Sequence, residues 1–138
     1  MPSNASELTD LEYEALARLR HALRVFLRFS EEAARREGLT PKQHQLLLAI
    51  RGFPGGREPT IGDVAELLQL RHHSVVELVG RAIDAGLVRG RVDTDDHRRH
   101  RLTLTSRGKR KLASLSPAHQ TELRRFRDEM TVFLHELG

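Results

Sequence analysis

Cysteine and tryptophan are both missing from this chain of 138 residues. Without cysteine there can be no disulfide, no thiolate metal site and no sensor that works by oxidising a thiol. Aromatic residues amount to only 4%, too few for a platform on which unpaired bases would stack. No apolar run is long enough to span a bilayer, and nothing resembles a charged n-region followed by an apolar h-region. A cytoplasmic protein without membrane contact is the expectation. A Gly-rich phosphate loop, a serine nucleophile elbow and an HExxH helix are also absent. The acidic residues fall mainly on predicted solvent faces. No catalytic residue is assigned, no enzyme is expected and no cofactor is implied.

What is present is charge. Charged residues make up 30% and hydrophobic ones 38%, a balance that suits a thin, helical shape of one domain borrowing core from a partner chain. The net charge of +4 is unevenly spread. Residues 89–111 hold nine basic and three acidic side chains, a local +6 that leaves −2 for the remainder. A focused basic patch is the footprint expected for a phosphate backbone, though a solvated charged surface would also read this way.

The patch lies within an organised stretch, residues 60–105. Ile61, Val64, Ala65 and Leu68 form one apolar stripe at helical spacing, with Thr60 and Asp63 able to cap it. Val75, Leu78, Val79, Ala82 and Ile83 form a second, and Gly86 follows where a left-handed residue ends a helix. Only Gln69 and Leu70 are left for a turn. Two short amphipathic helices across a tight turn match the helix-turn-helix that places a helix in the DNA major groove. Beyond it, Leu87 and Val88 open an extended run, and residues 98–105 alternate with period two, putting His100, Leu102 and Leu104 on one face. The polar loop between them, residues 93–97, makes the pair a hairpin with an arginine-loaded tip.

The segments LTPKQHQLLLAI, TIGDVAELL, AGLVRGRVD, Asp96-His97-Arg98 and LTLTSRGKRKL occur in this order, and over about residues 39–112 the chain resembles the MarR family of winged helix-turn-helix repressors. The Asp-x-Arg of the wing maps onto Asp96 and Arg98, the following Leu-Thr onto Leu104 and Thr105, and the glycine onto Gly108. The resemblance implies a mainly α fold with a small β-hairpin wing, in a dimer built from N- and C-terminal helices. The implied division is an N-terminal dimerisation helix over residues 1–38, a DNA-binding lobe over 39–112 and C-terminal dimerisation helices over 113–138. It implies a repressor on a pseudo-palindromic operator of double-stranded DNA, working as a homodimer and released by a small phenolic or otherwise lipophilic effector. It also places Arg98 at the wing tip, entering the minor groove. That agrees with the attraction of arginine to a narrow groove's negative potential, and Asp96 would hold the guanidinium by a charge-assisted bond.

A recognition helix offers its N-terminal turns to base edges. Here these are Arg71, His72, His73, Ser74, Val76 and Glu77. Val76 suits a thymine methyl and Glu77 a cytosine amino group. Arg81, Arg91, Asp96, Arg98, Arg99 and Arg101 complete the candidate DNA-binding residues. Arg71 departs from the family, which commonly has Ser or Thr at this helix start, and so does Glu77, an acid where a basic or polar residue is frequent. Gly80 inside the helix costs about 1 kcal/mol against alanine, unless close packing needs it.

The flanks read as helices. The polar residues 1–6 are expected to fray. Thr9 and Glu12 form a capping box, and a helix to about Glu37 carries Leu16, Leu19, Leu23, Phe26 and Phe29, either as an intrachain core helix or, by the resemblance, as a dimerisation helix. Thr40-Pro41-x-Gln43 starts another, with Leu46, Leu47 and Ile50 as core. Glu58-Pro59 adds a short edge strand if the family pattern holds. After the wing Thr105 caps a helix that turns Leu112 and Leu115 inward. Ser116-Pro117 either starts a new helix or kinks a continuing one, and the resemblance favours the kink. Leu123, Phe126, Met130, Phe133, Leu134 and Leu137 form the last stripe. Phe26, Phe29 and Leu47 are candidates for an effector crevice and also for ordinary core. Two other functions compete. His97 and His100 with Asp95 or Asp96 suggest a zinc-responsive regulator, although zinc needs three or four converging ligands and no metal residue is assigned. A protein–protein adaptor that has lost DNA binding would explain Glu77 and Gly80.

Overall fold

The computed structural model describes residues 6–137, so all but the last residue of the expected frayed terminus lies outside the described residues. Among those described there are six α-helices and one two-stranded sheet: α1 (Asp10–Arg36), α2 (Pro41–Arg51), α3 (Ile61–Leu68), α4 (His72–Asp84), β1 (Val88–Val92), β2 (His100–Leu104), α5 (Ser106–Ala113) and α6 (Ser116–Leu137), with a 3-10 turn at Pro54–Gly56. The fold is mainly α with a small hairpin, as the sequence implies. Two compact units emerge: residues 31–116, and residues up to 30 together with those from 117 on.

The helix starts follow from side-chain chemistry. Thr9 and Glu12 exchange hydrogen bonds ahead of α1, the Thr9 N–H reaching the carboxylate at 3.0 Å and the Glu12 N–H reaching the hydroxyl at 3.2 Å. Thr40 with Gln43 and Thr60 with Asp63 repeat the device at α2 and α3. Each pair satisfies N–H groups that a helix start leaves without a partner. Helix α1 ends at Arg36, and Gly38 at φ +78° turns the chain so that Leu39 N–H returns to the carbonyl of Ala34 at 3.0 Å. The ammonium of Lys111 donates to the carbonyl of Glu37 at 2.7 Å, a cation where the helix dipole favours one.

In the unit of residues 31–116, Leu46, Leu47, Val64, Val75, Ala82 and Leu102 are fully buried. Ile50, Leu112 and Leu115 are buried as well. Ile83, expected with the stripe of α4, is exposed. Eight residues advance a helix by 2.2 turns, so Ile83 is rotated about 80° from Val75 and falls off the edge of the buried face. Gln69 takes the left-handed conformation at φ 52° and closes α3 against α4. Gly86, at φ +74°, turns the chain from α4 into the hairpin.

Strands β1 and β2 pair antiparallel with Val88 opposite Leu104, Gly90 opposite Leu102 and Val92 opposite His100. Leu102 and Leu104 point inward, whereas His100 is exposed. The second strand begins at His100 and not at Arg98. The reason is local: the Asp96 carboxylate accepts the Arg98 N–H at 3.0 Å and the Asp96 carbonyl accepts the Arg99 N–H at 2.9 Å. Those bonds fold residues 96–99 into a turn in place of a strand. The expected edge strand is a single bridge, Thr60 to Arg101, with Leu102 N–H on the Pro59 carbonyl at 2.9 Å.

Gly108 explains the glycine after Leu-Thr. A Cβ there would stand 2.1 Å from the Leu87 carbonyl oxygen. Thr105 caps α5 by accepting the Gly108 N–H at 3.0 Å, and its hydroxyl donates to the Gly86 carbonyl at 2.6 Å. Helix α5 stops at Ala113, and α6 starts afresh at Ser116, which corrects the kink favoured above. Pro117 has no N–H for the carbonyl four residues back. The chain closes α5 instead through Leu115 N–H on Leu112 at 3.1 Å and the Ser114 hydroxyl on Lys111 at 2.6 Å.

In the other unit α1 and α6 meet through Phe26 and Phe126, whose ring centroids lie 6.1 Å apart, and through the Arg125 guanidinium 4.9 Å above the Phe29 ring. Arg18 pairs with Glu136. No helix among the described residues is long and apolar enough to cross a membrane.

Candidate nucleic-acid interface

Helix α4 buries Val75, Leu78, Val79 and Ala82 and turns its other side outward. Arg71, His72, His73, Val76, Glu77 and Arg81 are exposed and Ser74 is half-buried. Arg71 is the N-cap residue and makes no side-chain capping bond. The amides of the first turn therefore keep donors for an anion, as a helix N-terminus does for phosphate. Gly80 lies in open space, with nothing within 4 Å of a Cβ built on it. Close packing within the chain does not account for it.

At the wing tip Arg98 is 92% exposed, and its Nε donates to Asp96 Oδ1 at 3.2 Å. Arg99 Nε approaches the other oxygen of the same carboxylate at 3.6 Å. Asp96 thus steadies two arginines that remain open to solvent. The Arg98 backbone N–H, and after it the Arg98 side chain, hold the Asp96 carboxyl below the usual aspartate range.

The base of the wing is different. Arg101 is only 23% exposed; its Nε and Nη2 donate to Asp93 Oδ2 at 3.2 and 3.1 Å, and its Nη1 donates to the Glu58 carbonyl at 2.9 Å. Arg91 Nε donates to Glu58 Oε2 at 2.6 Å. Asp93 also lies below the usual aspartate range, first because it accepts the Asp95 N–H and then because of the nearby guanidinium. With Lys111 bound to the end of α1, three of the nine basic side chains counted in residues 89–111 are engaged inside the fold.

The wing and the start of α4 face a common concavity of about 500 Å³, lined by Arg57, His72, Arg98, Arg99, His100 and Arg101 with residues 60–63. Asp63 is the one acid among the lining residues, and its carboxylate is occupied by the Thr60 N–H at 2.9 Å. The hollow therefore presents positive charge from two segments distant in sequence, Arg57 and the wing arginines, beside the imidazole of His72, and it is suited to a polyanion and not to an apolar ligand. Arg57 was not anticipated. Its guanidinium is held 5.6 Å over the Phe53 ring; the expected edge strand at Glu58-Pro59 brings the loop beside the wing, but nothing in Gly-Gly-Arg signals that the Arg57 side chain joins the hollow. Among the described residues no group of three or more His, Cys, Asp or Glu side chains is placed to hold a metal ion.

Comparison with curated proteins finds no match. Residues 37–99 match the model of the MarR family. Among solved structures, AbsC, a MarR family transcriptional regulator from Streptomyces coelicolor, matches with a TM-score of 0.74 at 24% identity over 90% of this chain and 84% of that one. The MarR family transcription regulator SP03579 matches with a TM-score of 0.75, also at 24% identity, over 91% and 85%. S. aureus MepR, in a complex with DNA, matches with a TM-score of 0.67 at 18% identity over 95% and 97%. At these identities the likeness to the solved structures is one of fold. Residues 37–99, which carry α2, α3, α4 and the wing tip, match the MarR family model, and the chain is folded as the winged helix-turn-helix regulators of that family are.

Proposed function

We propose that the chain binds double-stranded DNA sequence-specifically, as a homodimer on a pseudo-palindromic operator, and represses transcription until a small lipophilic effector releases it. The observation that carries this reading is the basic hollow shared by the wing and the start of α4. Arg71, His72, His73, Ser74, Val76, Glu77 and Arg81 face the major groove, and Arg98, steadied by Asp96, enters the minor groove beside it with Arg99 on the phosphates. That MepR was solved with DNA supports the same use of this fold. Such a regulator works in the cytoplasm, where the DNA is.

A second copy is supported by the apolar side chains that the helical unit leaves uncovered, among them Leu11, Leu123 and Leu134. The effector reading is supported by a cavity of about 560 Å³ between α1 and α6 in that unit, lined by Phe26, Phe29, Phe126, Met130 and Phe133 among others. Leu47, in contrast, is fully buried and lines neither this cavity nor the basic hollow.

Selection from random duplexes with the full chain tests the reading. Enrichment of an inverted repeat with half-sites about one helical turn apart is the expected result. Failure to enrich any sequence, with no binding to mixed-sequence duplex at low salt, rejects it.

A further inference from the structure

We propose that Asp93 and Glu58 are positioning residues for DNA binding: together with Arg101 and Arg91 they form a charge-balanced clamp that fixes the wing to the segment from which α3 starts. The inference rests on the DNA-binding reading above and changes the role of two of its arginines, which act inside the protein and not on phosphates.

The register of the hairpin creates the need for a clamp. Arg91 stands directly opposite Arg101. Like charges facing each other across a two-stranded sheet destabilise it. Each is answered by one carboxylate from a different segment: Glu58 takes Arg91 at 2.6 Å, and Asp93 takes Arg101 through two nitrogens at 3.1 and 3.2 Å. The third arm of Arg101 reaches the Glu58 carbonyl at 2.9 Å. One planar guanidinium thus joins the end of β1, the body of β2 and the strand-like residues before α3, a task that its fixed fork of donors suits.

The location gives the clamp its function. Thr60 bridges to Arg101 and also caps α3, and α3 leads through a tight turn to α4. Residues 58–60 are therefore a shared anchor for the wing and the recognition helix. The separation between Arg98 and the start of α4 decides whether one duplex can meet both. A site held by supporting bonds recognises its target better than one held loosely. The Arg101–Asp93 half is the firmer, with side-chain exposures of 23% and 9%; the half-exposed Arg91–Glu58 pair is more screened.

Charge sign separates this role from plain electrostatics. Asp93 is a buried acid at the base of a basic wing, so if only the field mattered, Asp93→Asn would tighten binding. The clamp requires the opposite. The test uses anisotropy of a labelled duplex enriched by the wild-type chain, or a mixed-sequence duplex if none is enriched, at about 50 to 200 mM salt. Asp93→Asn and Arg101→Gln are expected to weaken binding about tenfold each, with the wild-type salt slope and with non-additive effects in the double variant. Hydrogen exchange should quicken at the Asp93 and Leu102 amides while α2 and α4 keep their protection. Glu58→Gln, at a half-exposed pair that the fold does not depend on, should weaken binding about twofold to threefold. Equal or tighter binding by Asp93→Asn or Glu58→Gln, or a slope reduced by about one in Arg101→Gln, overturns the clamp while leaving the DNA reading intact. A wild-type chain that binds no duplex removes that reading itself.

Discussion

Two arginines three positions apart in the wing illustrate how little residue type alone decides. Arg98 and Arg101 are the same residue type and both are candidate DNA contacts in the sequence, yet one is almost wholly solvated and the other is held by Asp93 and the Glu58 carbonyl. Arg98→Ala should therefore weaken DNA binding and lower the slope of log affinity against log salt by about one, because a counterion-releasing contact disappears. An affinity titration over salt concentration reads this directly, and an unchanged slope takes the wing tip out of the interface. The two aspartates of the wing add a pH dependence. Both carboxyls lie below their usual range. A group depressed in the folded state stabilises it above its unfolded value, and that contribution is lost as pH falls through the folded one. The wing should keep its order at neutral pH and loosen in acid, from about pH 5 downward. Amide exchange of residues 93–102, followed against pH, would show this, and protection that rises on acidification would contradict it. Gly108 is the residue-scale stability test. The 2.1 Å approach to the Leu87 carbonyl leaves no room for a methyl group, and the clash is with backbone, which does not swing aside. Gly108→Ala should cost about 3 kcal/mol in chemical denaturation, the upper range for overpacking.

At the scale of elements, what was legible depended on whether the cause was local. Helix starts were, because a cap is written within four residues: Thr40 with Gln43 and Thr60 with Asp63 do what their spacing implies. The apolar stripe of α4 was legible up to Ala82 and failed at Ile83, where only tertiary packing decides how wide the buried face is. The hairpin was legible in its alternation but not in its length, since the Asp96 turn takes Arg98 and Arg99 out of β2. Pro117 allowed either a kink or a fresh start, and the choice fell to bonds made by Ser114 and Leu115. The basic hollow was half legible. Its wing and α4 side chains could be read from the sequence, whereas Arg57 and the structural use of Arg91 and Arg101 depend on how the loop before α3 packs, which no periodicity records. Gly80 carries an element-scale prediction. It is mid-helix, exposed and free of neighbours, so Gly80→Ala should raise stability by about 1 kcal/mol through backbone entropy alone. Thermal melts of the two proteins would show the gain, and a loss would mean that the helix needs glycine for a reason other than propensity.

At the scale of the whole molecule the open question is what covers the apolar stripes of α1 and α6. Leu11 is 78% exposed, Leu123 68% and Leu134 61%. Single exposed leucines are ordinary, but several on two long helices form the kind of surface that a two-fold partner hides. Substituting side chains this exposed costs the isolated chain little, within about 0.5 kcal/mol, so Leu123→Glu with Leu134→Glu separates association from folding. The wild type is expected to sediment as a dimer at micromolar concentration and the double variant as a monomer, with circular dichroism of the two unchanged. Its affinity for the selected duplex should fall by about 10² to 10⁴, because the second half-site is then bound from solution and no longer from a tethered neighbour. If the variant remains a dimer, the stripe of α6 is not the contact. A wild-type chain that is itself monomeric leaves one recognition helix per molecule, and a pseudo-palindromic operator then has no physical basis.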